Sequence, residues 1–277
     1  MSTPQITLND GRSIPQIGTG TWPLTETEVP SVVATAIEVG YRHIDTAAAY
    51  GNERGVGVGI RRSGLSRDAL FVTTKIGNDH HGRKQTRQAL EESLRRLGDD
   101  HVDLALIHWP MPQVGKYVET WETLIDLQQE GKAGSIGVSN FRPEHLDRII
   151  RSTGVTPAVN QIEVNPVVAH RELRKATRAR GIAIESWSPL GPSTNLLQDD
   201  TVGAIATRLG KTPAQVILRW HVEHGLIVIP KSASAERLRQ NFEIFGFTLE
   251  ADDNAALDGL DRGTPAFYSA QLAGDQN

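Results

Sequence analysis

The stretch VDLALIHWPMPQVGKYVETWETLIDLQQEGKAGSIGV, residues 102–138, decides the fold. It opens on a nearly continuous apolar run at 102–107, passes into an amphipathic pattern at 118–130, and meets a stop signal at Gly131. A second β-branched run follows at 135–138. Strand, helix and strand in that order form a parallel unit with a right-handed crossover. The beat recurs along the chain. Further short runs fall at 17–19, 42–44, 70–74, 158–161, 182–186 and 226–229, which makes eight in all. Helical patterns also occupy 28–39, 84–97, 143–151, 171–179 and 212–223. Pro213 after Thr212 suits a helix start, while Gly40, Gly98, Gly131, Gly154 and Gly181 sit where helices should end. The alternation admits an α/β fold of two kinds, a closed (β/α)8 TIM barrel or a doubly wound sheet, and the count of eight favours the barrel. Ahead of it, 5–8 and 13–14 read as an N-terminal β-hairpin around Asn9-Asp10-Gly11, a cover for the barrel. No linker or charge block divides the chain. One domain is expected over 1–277, with the hairpin in 1–15 and an irregular tail over 263–277.

Composition excludes several function classes. The 29 basic and 33 acidic residues leave a net charge of −4, which excludes a generally basic nucleic-acid binder. No apolar run approaches the ~18 residues of a membrane span, and the first residues lack the pattern of a signal peptide. A cytoplasmic monomer with no nucleic-acid or membrane partner is expected. With no cysteine there is neither a disulfide nor a thiolate site. His80 and His81 after Asp79 are adjacent and do not converge on one ion, so they read as a solvated loop and no metal is expected. Glu91-Glu92 and Arg95-Arg96 read as exposed helix faces. The run Gly55-Val56-Gly57-Val58-Gly59 lacks the dinucleotide spacing and does not follow a strand; it reads as a helix with small residues for close packing.

The strand ends carry the chemistry. In a barrel enzyme the loops at the C-terminal face hold the reacting groups. Strand two closes at Asp45, strand three at Lys75 and strand four at His108; Tyr50 follows Asp45 within reach of the same mouth. Strand five ends at Ser139-Asn140, six at Asn160-Gln161, seven at Ser186-Trp187 and eight at Pro230-Lys231. Each residue alone has an ordinary reading: a solvated loop acid or base, a core histidine, a rim aromatic. Together on neighbouring strands they fit carbonyl reduction. Hydride delivery to a carbonyl leaves an alkoxide that needs a proton. Tyrosine, with a free pKa near ~10, supplies one only if a cation stabilises its phenolate. Lys75 offers that charge, Asp45 holds the ammonium, and His108 can point an N–H at the substrate oxygen. After the eighth strand, Lys231 and Arg237 flank serines that can cap the next helix. That arrangement is either an ordinary helix start with two solvated cations or a phosphate site.

Six segments carry a family resemblance: GYRHIDTAAAYGNE (40–53), FVTTK (71–75), LALIHWP (104–110), SIGVSNF (135–141), AVNQIEVNP (158–166) and IPKSASAERLRQN (229–241). In this order they resemble the signature segments of the aldo-keto reductases, closest to the bacterial 2,5-diketo-D-gluconate reductase branch. The resemblance implies a TIM barrel, NADPH as cofactor, and a catalytic tetrad of Asp45, Tyr50, Lys75 and His108 with Tyr50 as proton donor. It further implies that Ser139, Asn140 and Gln161 hold the nicotinamide carboxamide and that Trp187 stacks on the ring. Gly20, Thr21 and Asp45 join the cofactor contacts. Ser188, Leu190 and Gly191 flank the pyrophosphate, Lys231, Ser232 and Arg237 meet the 2′-phosphate, and Asn241 meets the adenine. Trp22, Tyr50, Ala49, Gly77, His108 and Trp109 would line the pocket for a small carbonyl substrate, with Phe267 or Tyr268 from the tail. Relatives commonly carry a tryptophan where this chain has Gly77, which reads either as an opened pocket wall or as a turn that needs positive φ. Two rival functions stand beside the reductase: a lyase forming a Schiff base on Lys75, and a non-catalytic NADPH-binding sensor.

Overall fold

A computed structural model, which describes residues 3–263, shows a short hairpin followed by eight strands alternating with helices. The hairpin pairs β1 (Gln5–Thr7) with β2 (Ser13–Pro15) antiparallel. The unit then runs β3 (Thr19–Gly20), α1 (Val29–Val39), β4 (His43–Asp45), α2 (Glu53–Arg62), β5 (Phe71–Ile76), α3 (Arg83–Leu97) and β6 (Val102–Ile107). It continues through α4 (Tyr117–Gln129), β7 (Ala133–Ser139), α5 (Pro143–Thr153), β8 (Val159–Glu163), α6 (Arg171–Arg178) and β9 (Ala183–Trp187). The last elements are α7 (Asp200–Leu209), α8 (Pro213–Glu223), β10 (Ile227–Val228), α9 (Ala235–Phe242) and α10 (Ala251–Asp258). The strands β3 to β10 pair in sequence order, all parallel. The sheet closes where the Gly18 amide donates to the Val228 carbonyl (2.9 Å) and the Val228 amide to the Gln16 carbonyl (2.9 Å). This is the expected (β/α)8 barrel.

The packing explains the sequence pattern. Tyr41, Leu90, Trp121 and Phe141 fill the layer between sheet and helices on one side, and Ile184, Val216 and Trp220 fill it on the other. Inside the barrel, Leu8 and Ile14 of the hairpin meet Phe71, Leu104, Leu106, Val159 and Ile227, so the hairpin plugs one end with apolar side chains. Its turn is longer than a two-residue loop: the Leu8 amide donates to the Arg12 carbonyl (2.7 Å), and the Asp10 carboxylate accepts from Ser135 Oγ (2.7 Å). The glycines of α2 permit close approach, as the small-residue reading expects. A Cβ on Gly57 would overlap the Leu97 carbonyl, and one on Gly59 would lie 2.7 Å from the Pro30 carbonyl. Gly98 and Gly154 end α3 and α5 with φ of +72° and +71°.

Strand boundaries differ from the sequence reading by one or two residues, and α7 and α10 were not anticipated. The sequence ADDNAALD of α10 has too few apolar residues to mark a helical face. The α7 signals were present: Asp199 caps it by accepting from the Thr201 amide (2.9 Å), and Gly210 ends it. Arg96 is also less free than an exposed face implies, because its Nε donates to the buried Glu53 (2.7 Å). Among the described residues no helix is long and apolar enough to cross a membrane. Phe267, Tyr268 and the tail beyond Gly263 lie outside the described residues.

Candidate active site

Parallel pairing sets the site. Asp45 ends β4 and pairs with Thr73, Lys75 lies near the end of β5 and pairs with Leu106, and His108 directly follows β6. Tyr50 comes from a single 3-10 turn, Ala48–Tyr50, just beyond β4. Lys75 is fully buried at the centre. Its Nζ donates to Asp45 Oδ1 (2.7 Å) and Oδ2 (2.9 Å), to the Thr46 carbonyl (2.9 Å) and to Tyr50 Oη (3.2 Å). An ammonium has three hydrogens, and three groups accept them. Tyr50 therefore accepts from Lys75, and its own hydroxyl hydrogen is left for another acceptor. The His108 ring packs edge-on against Tyr50, with centroids 5.9 Å apart and planes at 76°. The three residues singled out at the strand ends and Tyr50 meet in one place.

Burial and charge set their protonation. Burial alone would strip the proton from Lys75, but the Asp45 carboxylate outweighs it, and the amine stays protonated well above the usual lysine range. For Tyr50 the expected acidification is outweighed. Burial pushes the phenol up, Lys75 pulls it down, Asp45 pushes it up again, and the balance lies above the ordinary tyrosine value. The phenol is thus a protonated reservoir beside a cation, not a pre-formed phenolate. Burial, then the Lys75 charge, lowers His108 to about 3, so the imidazole is neutral and carries one N–H donor.

Below this group lies a layer in which the sequence singles out Gln161 but not Glu185 or His43. Gln161 Nε2 donates to Asp45 Oδ2 (2.8 Å) and to Glu185 Oε2 (3.0 Å), and Glu185 approaches His43 Nε2 at 3.4 Å. Glu185 and His43 are fully buried. An acid directly after the apolar Ile182-Ala183-Ile184, within a strand, was the available signal.

The residues assigned to an extended dinucleotide fall around the same mouth and onto the β10–α9 junction. Gly20 packs closely on the segment after β10, where a Cβ would press on the Ile229 carbonyl at 3.2 Å. Two observations fit a phosphorylated cofactor. Thr21 Oγ1 is buried with no hydrogen-bond partner. Lys231 and Arg237 are exposed and form no ion pair among the described residues; Arg237 Nε donates only to Ser232 Oγ (3.3 Å). Ser234, not Ser232, caps α9 by accepting from the Arg237 amide (3.4 Å). Asn241 is buried on the same helix. Asn140 holds a left-handed backbone (φ +63°), and its side chain binds the His108 carbonyl (3.0 Å), Ser139 Oγ (3.0 Å) and Trp187 Nε1 (3.0 Å). Ser139 Oγ donates to the Gln161 carbonyl (2.9 Å). Ser188 is also left-handed (φ +48°) and opens the turn through Leu190 to Gly191.

Of the pocket residues, Trp22 is 56% exposed and Ala49 exposed, while Trp109 is half-buried. Gly77 has φ −68° and ψ 158°, an ordinary extended conformation, which removes the turn reading of this glycine. A Cβ there would meet only His80 Nδ1, at 3.4 Å. His81 is buried instead of solvated, and burial lowers it to about 4.

Residues 15–262 match the model of a family described as aldo/keto reductases. The chain is 45% identical over 259 residues to methylglyoxal reductase DkgA of Escherichia coli, covering 93% of this chain and 94% of that one. An aldo/keto reductase from Brucella melitensis superposes with a TM-score of 0.92 at 50% identity, covering 94% of this chain and 99% of the other. A mutant of Gox0644 in complex with NADPH gives a TM-score of 0.92 at 46% identity, over 96% and 97% of the two chains.

Proposed function

The chain belongs to the aldo/keto reductase family, and on that premise we propose that it is an NADP-dependent oxidoreductase reducing small aldehydes and ketones to alcohols, with Tyr50 as the proton donor. The observation that carries this reading is the position of Lys75, bound at once to both Asp45 oxygens and to the Tyr50 hydroxyl. Bound NADPH supplies the hydride. The chain's side chains do the rest. Tyr50 gives its free hydrogen to the developing alkoxide, and the phenolate that remains lies against the Lys75 ammonium. Asp45 keeps that ammonium charged and in place. His108, neutral, donates an N–H to the same substrate oxygen and so orients the carbonyl. Lys231 and Arg237 receive the 2′-phosphate, Arg237 as a fork. The proposed proton transfer uses four side chains of one chain and asks for no metal ion.

The Schiff-base alternative is disfavoured by the same geometry. Imine formation needs a neutral amine, and Lys75 is protonated with its hydrogens committed to Asp45, Thr46 and Tyr50. The relative named a methylglyoxal reductase makes dicarbonyls the first substrates to try, followed by aryl aldehydes, keto acids and keto-sugars. With NADPH deuterated at the transferring position, the alcohol product should carry deuterium on its carbinol carbon. NADPH binding with no label in any product would favour a sensor, and product formation without nicotinamide would favour a lyase.

A further inference from the structure

Gln161, Glu185 and His43 form a polar layer inside the barrel beneath Asp45 and Lys75. Both N–H groups of the Gln161 amide point to carboxyl oxygens, Asp45 Oδ2 at 2.8 Å and Glu185 Oε2 at 3.0 Å. A side-chain amide has one donor end and one acceptor end. If the ends were exchanged, the amide oxygen would face the Asp45 carboxylate and that contact would turn repulsive. Asp45 alone would hold the amide by a single bond, because most of its capacity goes to Lys75. The second bond comes from β9, where Glu185 is fully buried.

We propose that Glu185 is a positioning residue: it takes the second N–H of Gln161 and so keeps the Gln161 carbonyl turned toward the site of the nicotinamide carboxamide, where it accepts that group's N–H. This rests on the NADPH reading above. The surroundings allow the residue to stay buried. Burial, and then the Asp45 charge, push Glu185 up to about 8, so near neutral pH it is an uncharged acid. Its Oε1 lies 3.4 Å from His43 Nε2, which meets Thr73 Oγ1 at 3.1 Å, and burial with the nearby Lys75 charge lowers that imidazole to about 3 and keeps it neutral. Lys75 and Tyr50 are the other titratable groups that feel Glu185. Around the Gln161 amide, the Lys75–Asp45 ion pair is then the charged contact, and Glu185 adds none near neutral pH.

Fluorescence titration with two ligands tests the proposal: NADPH, and adenosine 2′,5′-bisphosphate, which has the 2′-phosphate and no nicotinamide. Glu185→Leu removes the acceptor and should weaken NADPH about tenfold, the scale of one buried hydrogen bond, while leaving the bisphosphate within about twofold. Glu185→Gln can still accept from Gln161 through its amide oxygen and should bind NADPH within about threefold of wild type. Equal losses for both ligands, no loss for either, or a Gln variant as weak as the Leu variant would overturn the positioning role. Wild-type protein that binds no NADPH would overturn the cofactor reading itself, before any variant is compared. If Glu185→Leu does not fold, Glu185→Met supplies a flexible side chain of similar length without an acceptor, and the same outcomes apply.

Discussion

Lys75 and Lys231 both stand at the C-terminal ends of barrel strands, yet their charges are treated in opposite ways. Lys75 is sealed inside and bound to Asp45, Thr46 and Tyr50; Lys231 is exposed and forms no ion pair among the described residues, its charge only acting from a distance on the Glu28 carboxyl. A buried ammonium without a partner costs several kcal/mol, so an internal cation must bring its own anion. An exposed one carries no such penalty and can remain available. On the proposed function this is a division of labour: the sealed cation serves the proton transfer, and Lys231 and Arg237 receive an anion that arrives with a ligand.

The largest effect should follow from removing the sealed charge. Lys75→Met leaves Asp45 buried without a counter-ion, with an expected loss of about 3–5 kcal/mol of stability in urea unfolding. Turnover should fall by about 10²–10⁴-fold. A variant as stable and active as wild type would break the comparison at its first half. Arg237→Ala tests the other half. NADPH affinity should fall by about ten- to hundredfold, the range of a charge-assisted hydrogen bond, with NADH binding nearly unchanged and stability within about 0.5 kcal/mol. Equal losses for the two cofactors would mean that Arg237 holds a group they share.

Away from both cations the effects should be smaller. Gly77 is extended and has room for a side chain, so Gly77→Ala should alter stability by no more than about 0.5 kcal/mol. If Gly77 leaves one wall of the pocket open, wild-type KM for small aldehydes should lie near or above ~1 mM. Gly77→Trp should lower that KM and raise it for bulky ketones; a uniform loss for all substrates would remove the pocket reading. The smallest effect is an absence. His108 is lowered to about 3 by burial and by Lys75, so it gains a proton only in strong acid and stays neutral above that. The pH profile of kcat should therefore show no inflection near the ordinary histidine value of about 6.5. An inflection there that disappears in His108→Gln would contradict the neutral imidazole.

The barrel was legible because its strands are short β-branched runs with helical periodicity between them, and the run at 102–138 shows one whole unit. Asp45, Lys75 and His108 were legible for a related reason: a polar residue that closes a buried strand must face the mouth. Tyr50 followed from proximity alone. The protonation of Tyr50 was not legible, since Lys75 lowers it while burial and Asp45 raise it, and the balance depends on how deeply the turn at Ala48–Tyr50 is buried. Glu185 and His43 escaped notice because each sits within a strand and finds its partner across the barrel, a relation that local sequence does not encode. His81 looked like a solvated loop residue because its burial comes from neighbours remote in the chain.

The division between a sealed cation for chemistry and an open one for binding is tested most directly by Tyr50→Phe, which removes one oxygen and its hydrogen from beside Lys75. NADPH affinity and turnover are measured on the same preparation. NADPH should bind within a few-fold of wild type while carbonyl reduction falls by about 10²–10⁴-fold. Turnover above about a tenth of wild type would assign the proton to another group and contradict the account.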